Sequence, residues 1–203
     1  MMRASRSFAD RGPRARDEGR IVAIENHQDF GSAELVVFCE ETPGLGICLD
    51  TGNAFPVAEA PLDFTRRVAP YVRHVHLKDY RAQFTDEGFR LVRCAIGDGA
   101  VPLPEMLDIL AEHHRKMTAV LEPGALEARH VRLLKPEWWQ GYAPKGAAEL
   151  AACLASLRVN RLTDEADYRT PWERGEDSAI EAYELAMIRR SAANIRAIGL
   201  GAN

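Results

Sequence analysis

No Cys-x-x-Cys pair occurs among the four cysteines of this 203-residue chain, and Cys39 and Cys48 stand inside apolar runs. That pattern argues against a disulfide framework or a zinc-thiolate site, and for free thiols in a reducing cytoplasm. No apolar run is long enough to span a membrane, and the N-terminus lacks the apolar stretch of a secretory signal. A basic excess is also missing: 26 Lys and Arg against 30 Asp and Glu give a net charge of -4, which disfavours nucleic acid as a partner. What remains, at 46% apolar and 28% charged residues, has the balance of one globular domain with a substantial core.

Positive charge is gathered at the start. Residues 3–20 hold Arg3, Arg6, Arg11, Arg14, Arg16 and Arg20 with Gly12, Pro13 and Gly19, and show neither helical nor strand periodicity. They read as a disordered basic leader over residues 1–20, and Asp10, Asp17 and Glu18 interrupt it too often for a targeting peptide.

From Ile21 onward, short apolar runs alternate with helical stripes, the signature of repeated βα units around a parallel sheet. Strands are expected at 21–25, 46–50, 72–78 and 118–122. Helices are expected at 33–41, at 62–68 with Asp63 as its cap, and after Gly97-Asp98-Gly99, where Leu103, Met106, Leu107 and Leu110 make one stripe. Between Asp79 and Val101, Thr85-Asp86-Glu87-Gly88 separates two apolar stretches and predicts a hairpin. Residues 126–203 form a C-terminal helical extension. One of its helices carries Leu150, Cys153, Leu154 and Leu157, and its last, from Asp177 to Ile198, is stopped by Gly199 and Gly201.

Each of the four strands ends in a group able to hold a cation. In His74-Val75-His76 the alternation of strand side chains puts both imidazoles on one face, and the other three runs end at Glu25, Asp50 and Glu122. In parallel-sheet proteins chemistry gathers at these carboxyl ends, so one histidine and three carboxylates are expected to share one site. Such a mostly hard donor set suits Mn²⁺, Mg²⁺ or Co²⁺, with zinc less favoured. His74, deeper in the sheet, is expected to support His76 or fill core, and Lys78 and Asp79 to touch substrate or pair with each other. Trp138, Trp139 and Trp172 either cover the pocket mouth or anchor the tail.

These motifs resemble a known family. Ile24-Glu25-Asn26-His27, Leu49-Asp50-Thr51-Gly52-Asn53, His74-Val75-His76-Leu77-Lys78-Asp79, Gly97-Asp98-Gly99 and Leu121-Glu122-Pro123-Gly124 stand in the order of strands five to eight of the xylose isomerase-like TIM-barrel superfamily of sugar isomerases and epimerases. The resemblance covers residues 21–125. It implies an α/β fold, the C-terminal half of a (β/α)8 barrel, with Glu25, Asp50, His76 and Glu122 as metal ligands. It further implies that Glu25 and Glu122 exchange a proton beside a metal-polarised carbonyl, with His27, Asn53, His74, Lys78 and Asp79 around the substrate or behind the ligands. A hydride shift is the isomerase alternative. Asn53 stands where many ketose epimerases have His, and His74 where the endonuclease IV branch commonly has Asp, so phosphodiester cleavage is disfavoured.

A full barrel needs eight strands and about 250 residues. The expectation is therefore half a barrel with two raw edges and an uncovered inner face of Val, Ile and Leu. Three outcomes follow: a homodimer of half-barrels, a partner supplying strands one to four, or a reading truncated at its N-terminus. The functional expectation is a divalent-metal sugar or sugar-phosphate isomerase or epimerase. An inactive or partner-binding remnant, and a lyase or dehydratase on the same scaffold, are the alternatives.

Overall fold

The computed structural model describes residues 11–163 and 166–199. Arg3, Arg6, Asp10 and Gly201 lie outside the described residues. Inside them the elements run α1 (Arg11–Asp17), β1 (Val22–Glu25), α2 (Ser32–Glu41), β2 (Leu45–Asp50), α3 (Pro61–Val68), β3 (Val72–Leu77), β4 (Asp79–Thr85), β5 (Gly88–Cys94), α4 (Leu103–His113), β6 (Thr118–Leu121), β7 (Arg129–Val131), α5 (Ala147–Ser156) and α6 (Asp177–Ala197).

Four parallel strands in the order β1-β2-β3-β6 make one sheet, and β4-β5-β7 make a second, antiparallel one. The first sheet follows from the apolar runs read in the sequence. On one face Ile47, Leu49, Val75 and Leu77 sit at 6% exposure or less, under α2, α3 and α4, which contribute Leu35, Phe38, Phe64, Val68, Met106 and Leu110. Burying such side chains stabilises the fold by about 1.5–3 kcal/mol each.

The opposite face corrects one expectation. It carries Ala23, Glu25, Gly46, Cys48, Asp50, His74, His76, Thr118 and Val120 rather than a lining of Val, Ile and Leu, because all the large aliphatic residues but Val120 take the helix-covered side. Val120 is 46% exposed there, and Ala23 and Thr118 are exposed as well. Strands β1 and β6 leave the sheet with two unpaired edges among the described residues.

Three other expectations change. Part of the leader is ordered: α1 places Gly12 so close to Pro43 that a Cβ there would stand 2.7 Å from its carbonyl oxygen. At seven residues it is too short to show a periodic stripe. Asp63 does not cap α3. Ala60 precedes the helix, Pro61 opens it, and Asp63 pairs with Arg66 at 2.9 Å on the surface. Residues 126–203 are not wholly helical, since β7 extends the hairpin predicted about Thr85-Asp86-Glu87-Gly88, with Phe89 opposite Val131 and Leu91 opposite Arg129. A three-residue strand leaves no pattern to read.

The C-terminal helix is fastened to the Gly97-Asp98-Gly99 loop. Asn194 Nδ2 donates to the Ile96 carbonyl at 2.7 Å, Ile96 N–H donates to Ser191 Oγ at 3.0 Å, and Arg190 Nη2 pairs with Asp98 at 3.1 Å. Gly199, at φ 79°, ends it in the left-handed conformation that glycine tolerates. No helix among the described residues is long and apolar enough to cross a membrane.

Candidate metal centre

Parallel register brings the strand ends level: Glu25 lies beside Cys48, and Asp50 beside His76. Glu122 follows β6 directly, and its N–H donates to the Leu77 carbonyl at 3.0 Å. One donor atom from each of Glu25, Asp50, His76 and Glu122 lies within 4.8 Å of the others. His76 Nδ1 stands 3.0 Å from Glu25 Oε1 and 3.8 Å from Glu122 Oε1. The four predicted ligands therefore converge, and they face the open side of the sheet, with Glu25 and Glu122 about one-third exposed and Asp50 fully buried.

Lys78 is the fifth member. At 3% exposure its ammonium contacts both Asp50 Oδ2 and Glu122 Oε2. Glu122 Oε2 is buried and has this ion contact without an aligned hydrogen bond. Burial pushes the Asp50 carboxyl up to about 6 against the pull of the Lys78 ammonium and the Gly52 N–H. Burial would lower Lys78, but the Asp50 carboxylate, Tyr80 and Glu122 outweigh it and hold the ammonium charged. Burial likewise opposes ionisation of Glu122, and Lys78 overrides it, keeping that carboxyl below its ordinary value. Three carboxylates and one imidazole, answered by a single ammonium, leave negative charge in excess and offer lone pairs to a cation, so these four residues fit a divalent metal.

The sequence did not single out Asn26 as a positioning residue. It is 1% exposed and holds Asp50 from both sides, with Nδ2 donating to the Asp50 carbonyl at 3.0 Å and Oδ1 accepting the Asp50 N–H at 2.7 Å. Asn53 Nδ2 donates in turn to the Asn26 carbonyl at 3.0 Å, which leaves Asn53 Oδ1 buried and without a donor. Thr51 Oγ1 donates to the Lys78 carbonyl and accepts the Lys78 N–H, tying β2 to β3. Gly52 permits this approach: a Cβ there would meet the Tyr80 ring at 2.8 Å.

The remaining predicted residues divide. His74 lies one layer below: its Nδ1 is 2.7 Å from Thr118 Oγ1, and its ring packs edge-on against His76 at 5.4 Å. Cys48, His74 and His76 form a second close group that the sequence did not anticipate, but burial, followed by Glu25, Asp50 and Glu122, pushes the Cys48 thiol up to about 11. His27 stands on the rim outside the ligand group, held below its ordinary value by partial burial and by the charges of Arg129 and Lys78.

Asp79 is a correction. It neither pairs with Lys78 nor faces the cluster. Its carboxylate accepts the N–H groups of Tyr80, Gly97, Gly99 and Val101, at 2.8, 2.9, 3.0 and 3.0 Å, and so shapes the loop that opens α4. Trp138 and Trp139 pack edge-on at 4.8 Å against the core, with Trp139 Nε1 donating to the Leu133 carbonyl, so they anchor the tail. Trp172 is 47% exposed.

Comparisons with known proteins match the fold of the chain. A family model described as xylose isomerase-like TIM barrel matches residues 1–156, further at both ends than the motifs reach. The chain is 27% identical over 124 residues to a 3-oxo-isoapionate decarboxylase of Pectobacterium atrosepticum, covering 58% of this chain and 45% of that protein. A xylose isomerase domain protein from Planctomyces limnophilus superposes with a TM-score of 0.50 at 25% identity, over 76% of this chain and 52% of that one. A xylose isomerase-like TIM barrel protein from Mycobacterium smegmatis, in complex with magnesium, superposes with a TM-score of 0.50 at 16% identity, over 77% and 48%. The chain thus spans about half the length of each of these proteins.

Proposed function

The chain belongs to the xylose isomerase-like TIM-barrel family, and from that premise we propose that it carries the cation-holding half of an isomerase or epimerase acting on a sugar or sugar phosphate. The observation that supports this reading most directly is the convergence of Glu25, Asp50, His76 and Glu122 donor atoms within 4.8 Å. These four residues would hold a divalent cation. Mn²⁺, Mg²⁺ or Co²⁺ suits a set of three carboxylates and one imidazole, with zinc less favoured.

A bound cation supplies the charge that polarises a substrate carbonyl and steadies the negative charge left when the adjacent C–H loses its proton. The chain's own groups do the rest. Glu25 and Glu122 come from the two outermost strands of the parallel sheet and reach the cluster from opposite sides of His76. One removes the proton from carbon and the other returns it to the opposite face, a division of labour suited to epimerisation. Asn26 fixes Asp50, His74 orients His76, and the unfilled Asn53 Oδ1 is an acceptor for a substrate hydroxyl.

A metal-dependent lyase is the second reading, favoured by the decarboxylase relative. Solvent deuterium entering recovered ketose substrate supports the epimerase, whereas carbon dioxide release supports the lyase. The open edges of β1 and β6 and the bare inner face support a third element of the proposal, that a homodimer or another polypeptide completes the barrel wall. A mass from size-exclusion chromatography distinguishes a dimer from a monomeric, catalytically silent remnant.

Calorimetric titration with Mn²⁺ tests the cation site itself. Glu122→Gln and His76→Ala should each weaken binding by at least ~100-fold, beyond the ~10–100-fold typical of residues behind the ligands; equal affinity in all three proteins would remove the site. Wild-type affinity should also fall with pH below about 6, because the Asp50 carboxyl, raised by burial, must lose its proton before it can bind.

A further inference from the structure

One side chain on the buried face of the small antiparallel sheet carries a full charge. Leu91 faces Arg129 and Phe89 faces Val131 across β5 and β7, so Arg129 shares its face with three apolar side chains that are 2% exposed or less. Arg90 and His130 take the other face. Arg129 is itself half-buried, but its Nη1 is buried without a hydrogen-bond partner, and none of the ion pairs found among the described residues includes it.

Other buried charges are answered from within the chain. Lys78 meets Asp50 and Glu122, Glu59 meets Lys145 and Ser32, and Asp79 accepts four backbone N–H groups. A guanidinium donor left unsatisfied in a poorly hydrated place is costly. Arginine at such a position fits an anion held by two parallel N–H groups.

Its surroundings narrow the anion. Arg129 lines one cleft with Gln28, which follows Glu25 by three residues on the loop leaving β1, so the guanidinium lies toward the end of the sheet that carries the ligand cluster. Beside it a cleft of about 450 Å³ is shared by Gln28, Arg129, Arg132 and the exposed Trp172. Arg132 is already paired with Glu87 at 2.8 Å, and Glu127 on the cleft is exposed. Trp172 offers the flat apolar face on which sugar C–H groups pack.

We propose that Arg129 binds the anionic end, a carboxylate or a phosphate, of the molecule whose other end reaches Glu25, Asp50, His76 and Glu122. The substrate is then a sugar acid or a sugar phosphate rather than a neutral sugar. This inference rests on the cation-dependent reading above, and its test separates the two.

Metal-free full-length chain is titrated calorimetrically with inorganic phosphate and, separately, with glycolate, while Mn²⁺ titration reads the cluster. Wild type should bind one of the two anions, and Arg129→Gln should bind it at least ~10-fold more weakly, with Arg129→Lys between them because it keeps charge but loses the fork. Mn²⁺ affinity should be the same in all three. Binding of phosphate alone assigns a phosphate, and binding of glycolate alone a carboxylate. Equal anion affinity in wild type and Arg129→Gln overturns the proposal, as does a wild type that binds neither anion. If wild type binds the anion but not Mn²⁺, the cation reading fails and the role of Arg129 stands. Arg129→Met guards against a folding defect: it should melt no lower than wild type, and the bound anion should raise the melting temperature of wild type alone.

Discussion

Asp79→Ala should lower the unfolding free energy by about 3–5 kcal/mol, read by urea denaturation, while leaving the four ligand residues in place. The side chain is 2% exposed and makes no contact with the cation cluster, yet it accepts N–H groups from Tyr80, Gly97, Gly99 and Val101. Truncation leaves those donors facing each other. An unsatisfied buried donor costs about 1–3 kcal/mol, and water entering the vacated space recovers part of the sum. The loop is wrapped closely around the carboxylate, since a Cβ on Gly99 would stand 2.1 Å from Asp79 Oδ1, so truncation empties the space that organises it. Asp79→Asn should cost less than Asp79→Ala, since its amide keeps one of the two acceptor oxygens.

The same residue gives a pH signature. Burial raises the Asp79 carboxyl to about 6, with the four backbone donors pulling it down, whereas an unfolded chain takes up that proton near 4. The folded state therefore binds the proton more tightly, and stability from this group falls as pH rises from about 4 to about 6 and is level above. The advantage of wild type over Asp79→Asn should shrink across that interval. An advantage that grows with pH would show the carboxylate to be favoured over the acid in its pocket.

The convergence of the four proposed ligands was legible because each obeys a rule local in sequence: an apolar run of strand length, an acidic residue or His at its end, then a turn. Glu25, Asp50, His76 and Glu122 need only the parallel register to meet, and a parallel sheet supplies it. The hairpin at 79–94 and the helix stripes were readable for the same reason. What escaped is set by contacts distant in the chain. Asn26 looks like a turn residue until β2 lies beside it. Arg129 looks like surface charge until a three-residue strand pairs it with Leu91. The polar inner face was misjudged because apolar runs show how many branched residues a strand has, not which side they take. Lys78 and Asp79 are adjacent and opposite in charge, and neither alternative read for them, substrate contact or a mutual ion pair, allowed for the chain passing here from the parallel sheet to the antiparallel one, where the two side chains meet different neighbours.

Its two carboxylate contacts make Lys78 the residue whose loss should most change the protein's response to added metal. Its ammonium, 3% exposed, stands against Asp50, which is fully buried, and against Glu122 Oε2. It occupies the place in the charge balance that a divalent cation would take. Replacing it with methionine keeps most of the apolar stem and leaves two carboxylates with no counter-charge, a change that costs about 3–5 kcal/mol when one partner of a buried pair is removed. Without metal, Lys78→Met should therefore melt well below wild type. Adding Mn²⁺ should stabilise the variant more than it stabilises wild type, because in wild type the cation competes with an ammonium already facing the same oxygens, and binding to the native state raises stability in proportion to that affinity. Melting curves of both proteins with and without Mn²⁺ measure the difference. A deficit in Lys78→Met that Mn²⁺ does not narrow would mean that Lys78 neutralises a structural carboxylate pair and that the cation, if bound at all, sits elsewhere. A deficit that Mn²⁺ closes would place lysine and metal in the same electrostatic role, one serving the empty site and the other the loaded one.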